Sequence, residues 1–314
     1  HKGKVVWHKS KYPHFKKIIH LDKNLIKFNE QVLYVDKPKK IINISSGFSL
    51  CGVHSKVWSH FLVQYLPKIE FIHRVISATN SDLTIIIPEH NDPHIKEILS
   101  ILLKRIERIN IIELKDGEAA KCDKLYYIEN TAVLSEHTSY ISLSDVIIPK
   151  FVLSFLKEKL VSNEVLFPSL KHKPKVPFRK LYIRRTISTL SPLSSMRVLE
   201  NYIEVEKFFL AEGFELIEPH KYSLDEKRIL FSEAKFIVGS YSSGFMNIMF
   251  CQPNTKILVF MNFQRIYESY IANLANEFEI NLFALTGVDV DPTDIHSSYS
   301  ISIKKIVNSY KKIV

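Results

Sequence analysis

The sequence predicts a two-domain α/β protein built on mostly parallel sheets. Three observations carry that expectation. The chain has 314 residues, and compact domains run to roughly 150 residues each. Short apolar runs alternate with longer segments whose apolar residues recur every three or four positions, the periods of strand and helix. The alternation stops across residues 162–179 and then restarts, which reads as two α/β halves joined by a linker. With 46% hydrophobic and 24% charged residues, the chain can bury a large core without disulfides or structural metal. The same composition excludes fibrous, collagen-like and disordered classes.

The first domain is expected over residues 1–161. Residues 41–44 (IINI) read as a strand, followed by the polar turn Ser45-Ser46-Gly47. Residues 55–75 read as a helix, because Trp58, Leu62, Tyr65, Ile69 and Ile72 fall on one face. A strand is expected at 83–87. Asp92-Pro93 then has the form of an N-cap followed by proline at the first helical position, opening a helix over 93–107. Residues 109–114 and 124–128 read as strands, and the second part of 145–160 as a helix. Residues 162–179 carry three prolines and three lysines without a period, the composition of a linker.

The second domain is expected over 180–292. Its strands are read at 180–184, 214–217, 235–238, 256–260 and 281–285, and its helices at 197–213, 225–232, 244–250 and 267–276. A last helix is expected within 293–314. In parallel sheets ligands lie outside the carboxyl ends of the strands, so two such sheets facing one another would suit a two-substrate reaction.

Charge narrows the partner classes. Lysine and arginine number 43 against 33 acidic residues, a net charge of +10, which fits nucleic acid, an anionic membrane surface or a phosphorylated substrate. The lysines are scattered, with no long basic tail or RNA-binding signature, so nucleic acid is not the expected partner. Cys51, Cys122 and Cys251 are odd in number, far apart and without CxxC spacing. They point away from a disulfide framework or zinc site and toward a reducing compartment. No apolar run reaches the ~18 residues of a spanning helix, and the opening residues show no apolar stretch of a signal peptide. A cytoplasmic location, with peripheral contact at the inner face of the membrane, is therefore expected.

Three groups of residues carry candidate chemistry. Gly239-Ser240-Tyr241-Ser242-Ser243-Gly244 follows a strand and opens a helix. Small residues there let backbone N–H groups reach an anion, and Ser242 and Ser243 add hydroxyl donors; a plain serine-rich N-cap has the same appearance. Arg184-Arg185 end a strand and Arg197 follows. Their planar forks match phosphate oxygens, although a solvated charge pair is the commoner role of such residues. His54 precedes the first long helix, His60 lies within it, and Gln64 follows one turn later. Histidine can act as general base near neutral pH, while a lone helical histidine is more often structural. Two groups resemble metal sites. Asp92 in Glu89-His90-Asp92-His94 is explained by the helix start, and Asp289-Val290-Asp291 is read as capping the last helix. No metal is expected.

Taken together, these stretches are similar to a known family. Trp58-Ser59-His60-Phe61-Leu62-Val63-Gln64-Tyr65-Leu66-Pro67-Lys68-Ile69 resembles the aromatic–x–His–aromatic–Leu…Leu-Pro-Arg-Leu stretch of glycosyltransferase family 61. Leu181-Tyr182-Ile183-Arg184-Arg185 resembles its Tyr-Ile-Ser-Arg strand, and Arg197…Asn201 its Arg-x-x-x-Asn helix start. Gly239 through Phe250, then Pro253, resembles its Gly-x-His-Gly-Ala-Gly-x-x-Asn-x-x-Phe segment. The resemblance implies a GT-B architecture and an inverting, metal-independent transfer from a nucleotide sugar, with no cofactor beyond that co-substrate. It implies a glycan or lipid-linked glycan acceptor in bacterial capsule or lipopolysaccharide synthesis. It would place Arg184, Arg185, Arg197, Asn201, Glu226, Ser242, Ser243, Gly244 and Asn247 on the donor side. His60 would be the base, with His54 and Gln64 beside it, and the last helix could return to the first domain. Tyr241-Ser242-Ser243 stands where the family has His-Gly-Ala, Gln64 where it has an acidic residue, and Lys227 where it has Gln. A paired serine also resembles the phosphate site of GT-B enzymes that use CMP-linked acidic sugars. A degenerate transferase that binds without catalysis, or a basic module on nucleic acid or membrane, remains the alternative reading.

Overall fold

A computed structural model describes residues 25–28, 33–35, 37–52, 54–90, 92–134, 146–171, 176–185 and 197–314. The chain is a mixed α/β protein with two parallel sheets, and it falls into two compact units that divide at Thr131/Ala132.

In the first unit, strands β1 (Leu25–Phe28) and β2 (Leu33–Val35) form an antiparallel pair. The main sheet holds β3 (Lys40–Ser49), β4 (Leu83–Pro88), β5 (Ile109–Leu114) and β6 (Glu118–Tyr126), in the order β5-β4-β3-β6 with every pairing parallel. β3 runs straight through Ser45-Ser46-Gly47, where the sequence suggested a turn. Gly47 is there for close packing: a Cβ would lie 2.7 Å from Cys122 Sγ and 2.9 Å from Ile86 Cδ1. The strand order reverses between β3 and β6, so their carboxyl ends form a topological switch point.

The helix expected over 55–75 changes pitch along its length. α1 (Trp58–His60) passes into a π-helical segment (Phe61–Tyr65), a 3-10 segment (Leu66–Phe71) and then α2 (Ile72–Thr79). Pro67 explains the break, since proline brings no N–H for the carbonyl four residues back and its ring crowds that carbonyl. The Val63 carbonyl accepts instead from Thr131 Oγ1 at 2.6 Å, and the Gln64 carbonyl from Thr131 N at 3.2 Å. α3 (Pro93–Leu103) begins as read, with the Asp92 carboxylate accepting from His94 N at 2.9 Å.

The second unit starts with a helical run, α4 (Lys150–Phe155), that continues as π-helix over Leu156–Val161. Its strands and helices then alternate: β7 (Arg179–Ile183), α5 (Tyr202–Ala211), β8 (Glu215–Ile217), α6 (Leu224–Ser232) and β9 (Ala234–Ser240). A 3-10 helix (Ser243–Phe250), β10 (Lys256–Met261), α7 (Tyr270–Glu277) and β11 (Asn281–Thr286) follow. β12 (Val288–Asp289) pairs antiparallel with β13 (Tyr299–Ser300), and α8 (Ile303–Ile313) ends the chain. The sheet order is β11-β10-β9-β7-β8, all parallel.

Several boundaries differ from expectation for tertiary reasons. Residues 162–171 are not an open linker: Phe167 is fully buried against Phe250, and Ser169 N and Oγ bond the Asp225 carboxylate at the start of α6. Residues 172–175 of that stretch lie outside the described residues. α5 starts five residues later than read, because Leu199 bridges to Tyr299 instead of winding into helix. The last helix starts at Ile303. Its apolar face (Ile306, Tyr310) packs on Tyr182, Phe209, Phe214 and Phe236, while Lys180 Nζ donates to the Tyr310 hydroxyl at 3.1 Å.

Candidate functional site

In order of appearance, the second sheet runs second, first, third, fourth, fifth strand. Its switch point therefore lies between β7 and β9. The two motifs singled out by sequence meet there. β7 ends at Ile183 and delivers Arg184 and Arg185, and β9 ends at Ser240 and delivers Tyr241-Ser242-Ser243. Ile183 and Gly239 are register partners, and a Cβ on Gly239 would lie 2.5 Å from the Ile183 carbonyl oxygen. Only glycine lets the strands approach so closely just before the site.

The two adjacent arginines have different surroundings. Arg184 is clamped by a carboxylate: its Nε and Nη2 donate to the two oxygens of Glu206 on α5 at 2.9 and 2.6 Å. That pair raises the Arg184 pKa and neutralises its charge within the fold. Arg185 Nη1 instead donates to the Tyr241 carbonyl at 3.0 Å. Arg197 takes a left-handed backbone (φ 59°) and its N–H donates to the His296 carbonyl at 2.9 Å. Its Nε is buried and has no hydrogen-bond partner among the described residues. Arg265, just beyond β10, donates from Nε to the Ile295 carbonyl at 3.1 Å and from Nη1 to Glu268. Its guanidinium lies 5.7 Å from the centre of the Tyr241 ring, and the Tyr241 hydroxyl donates to Glu268 Oε1 at 2.5 Å.

Arg185, Arg197 and Arg265 thus surround Tyr241 and repel one another. Burial first, then Arg265 and Arg185, pull the Arg197 pKa down to about 9. Burial and Arg265 also lower that of Arg185. The Glu268 carboxylate opposes the charge of Arg197 and is shared between Arg265 and Tyr241. A cluster of guanidinium groups is suited to hold phosphate oxygens.

The serine turn completes this rim. Ser242 is extended (φ −159°, ψ 168°) at the start of the 3-10 helix, its hydroxyl makes no capping bond, and Ser243 is exposed. Three other residues from the sequence reading are used to hold the unit together. Glu226 closes the capping box of α6 with Ser223. Asn201 Nδ2 donates to the Ile301 carbonyl at 2.9 Å, and its Oδ1 accepts from Ile301 N at 3.4 Å. Asn247 is buried and donates to the Gly244 carbonyl at 2.8 Å. Arg265 and Glu268 escaped the sequence reading. The signal was present, for Arg265 follows the carboxyl end of the neighbouring strand as Arg184-Arg185 follow β7.

The histidines lie in the first unit. His54 and His60 have ring centroids 4.8 Å apart, and His60 Nδ1 is 2.7 Å from Gln64 Oε1. With an amide oxygen as partner, Nδ1 carries the proton and Nε2 is the basic nitrogen. Further along the same helical run, Lys68 is fully buried. Its Nζ donates to Asn130 Oδ1 at 3.2 Å and lies over the rings of Tyr65 and Tyr127, at 4.7 and 5.3 Å. Burial pulls its pKa down to about 8.

Among the described residues, no group of three or more His, Cys, Asp or Glu is placed to hold a metal. His90 is buried edge-on to Phe61 at 4.9 Å, and burial lowers its pKa to about 4. Asp289 does not cap the last helix. It accepts from Phe263 N at 2.8 Å and Gln264 N at 3.3 Å, capping the short 3-10 turn that carries Arg265. Asp291 accepts from Thr293 N and Oγ1 at 2.8 and 2.7 Å. No described helix is long and apolar enough to cross a membrane.

Comparison with known proteins adds one finding. The family model described as Glycosyltransferase 61 matches residues 58–258, a stretch that contains His60, Arg185, Arg197 and the serine turn but ends short of Arg265 and Glu268. A search of curated proteins finds no match.

Proposed function

This chain belongs to the Glycosyltransferase 61 family, and on that premise we propose that it is an inverting, metal-independent enzyme drawing on a nucleotide-sugar donor. The family is one of glycosyltransferases, so a sugar donor and a glycan acceptor are its substrates. One observation carries the finer reading: Arg185, Arg197 and the Tyr241–Gly244 turn converge at the switch point of a parallel sheet. Ligands bind at that place in such folds, and the guanidinium groups there match phosphate oxygens.

In this reading the second unit binds the donor phosphates. Arg185, Arg197 and the donors around Ser242-Ser243 stabilise the charge that develops on the leaving phosphate, which is preorganised electrostatic catalysis. His60 removes the proton of the acceptor hydroxyl through Nε2 while Gln64 holds Nδ1–H. The hydroxyl oxygen then attacks the anomeric carbon as the bond to phosphate breaks, in one displacement that inverts configuration. Two units, each on a parallel sheet, accord with a GT-B architecture. Metal independence is supported by chemistry: the Asp289 and Asp291 carboxylates are occupied by turn amides and a hydroxyl, and arginines supply the positive charge. A glycan or lipid-linked glycan of the bacterial surface, reached from the cytoplasmic face of the membrane, is the acceptor this reading favours.

The test is a thermal-shift and transfer panel of UDP-, GDP-, dTDP- and CMP-sugars, with and without EDTA. One nucleotide class should raise the melting temperature, and transfer to a glycan acceptor should survive EDTA. A preference for CMP would assign the paired serines to a single phosphate. Strict dependence on Mg²⁺ or Mn²⁺ would overturn the arginine-based mechanism. Salt-sensitive binding to any nucleic acid, without a nucleotide-specific shift, would favour the basic-module alternative.

A further inference from the structure

The charge inventory of the arginine cluster leads beyond substrate binding. Glu268 sits in the loop before α7. Its Oε2 accepts from Arg265 Nη1 and its Oε1 from the Tyr241 hydroxyl at 2.5 Å. Tyr241 in turn presents its carbonyl to Arg185 at 3.0 Å and its ring to Arg265. Every contact of this carboxylate therefore points into the group of guanidinium ions. Its side chain and that of Arg265 are only 13% and 7% exposed, so water screens the charges weakly.

We propose that Glu268 is the resident counter-ion of this cluster: it holds the arginines together when no anion is bound and limits how tightly the site retains phosphate. The proposal rests on the reading of the cluster as the donor-phosphate site. Without a ligand, Arg265 repels Arg185 and Arg197, and the fixed carboxylate of Glu268 lowers that cost. When phosphate arrives, the same carboxylate repels it. The site therefore binds more weakly than the arginines alone would, which favours release of the nucleotide product after transfer. Glu268 acts through Arg265 and Tyr241, so it is a positioning residue.

The two roles have opposite signs, and this makes the proposal testable. Glu268→Gln keeps the shape of the side chain and one acceptor oxygen for Arg265, turns its amide N–H toward the Tyr241 hydroxyl oxygen, and removes the charge. By titration calorimetry, UDP and inorganic pyrophosphate should bind Glu268→Gln about tenfold more tightly than wild type, the scale of one unit charge on the order of 10 Å away at an effective dielectric of about 20. The variant should also melt at lower temperature without ligand, and saturating pyrophosphate should close most of that gap. In turnover, KM for the donor should fall and kcat with it, as product release slows. A merely structural Glu268 would lower the melting temperature and leave anion affinity unchanged or weaker, and that result overturns the counter-ion. Wild-type protein that binds neither UDP, CMP nor pyrophosphate would instead overturn the phosphate site itself. Tyr241→Phe, which keeps the packing and leaves the charge in place, should weaken pyrophosphate binding as Glu268 turns more fully toward the arginines; an affinity raised as in Glu268→Gln would contradict the proposal.

Discussion

The two units bury positive charge in different ways. In the first, Lys68 is enclosed by one amide oxygen and two aromatic rings, and no carboxylate among the described residues pairs with it. In the second, the buried Arg265 lies near the half-buried Arg185 and Arg197, with Glu268 as an opposing charge. A lysine can relieve its burial by giving up its proton, and its lowered pKa shows the fold making that easier. A guanidinium keeps its proton at neutral pH, so a cluster of arginines is relieved by an anion. The buried lysine is a local cost within one unit, whereas the arginine cluster points to a ligand.

The largest effect that sharpens this contrast concerns catalysis, since the first unit should supply the base and leave nucleotide affinity alone. His60→Ala is expected to lower kcat by about 10²–10⁴-fold, the usual worth of a general base, with nucleotide affinity unchanged by calorimetry. Weakened nucleotide binding in that variant would break the division of labour.

The next effect is on stability. The folded-state pKa of Lys68 is about 8 against an ordinary 10.5. Below pH 8 both folded and unfolded chains hold the proton, and the full cost of burying the ammonium is present. Between about 8 and 10.5 the unfolded chain binds more protons, so this group's contribution to stability rises with pH. Lys68→Met should therefore stabilise the protein at pH 7 by on the order of 1–3 kcal/mol, and the advantage should shrink by pH 10. Urea unfolding of both proteins at the two pH values measures it.

A smaller effect separates neighbouring arginines. Arg184→Ala leaves the nearly buried Glu206 without its bidentate partner, and a stability loss of about 1–2 kcal/mol is expected with unchanged nucleotide affinity. The smallest effect belongs to the serine pair. Ser242→Ala with Ser243→Ala should weaken nucleotide binding about three- to tenfold, while the melting temperature without ligand barely moves.

Much of the frame was legible in the sequence, because strand and helix periods are local. The β7, β9, β10 and β11 strands and the Asp92 cap follow from their own residues. The misreadings share one physical cause. Ser45-Ser46-Gly47 has the composition of a turn, yet strand pairing and the space left by Gly47 keep it extended. Residues 162–171 lack a period, yet Phe167 anchors them in the core. The place of Arg185 and the serine turn after strands was legible in the sequence, and the fold brings the two together at one switch point. The sequence could not separate Arg184 from Arg185, because Glu206 lies a helix away and reaches Arg184 only in the folded unit. Arg265 and Glu268 were hidden for a similar reason, since only the sheet order brings the end of β10 beside that of β9.

The central claim is that the half-buried, like-charged Arg197 is kept for an anion. It is tested most directly by titrating UDP and CMP into wild type and Arg197→Ala while following melting temperature without ligand. The account predicts that the variant melts no lower than wild type, since a repelled charge is gone, and binds the preferred nucleotide at least tenfold more weakly, the loss of one charge-assisted hydrogen bond of about 1.5–3 kcal/mol. A variant that melts lower and binds that nucleotide as wild type does would contradict the claim.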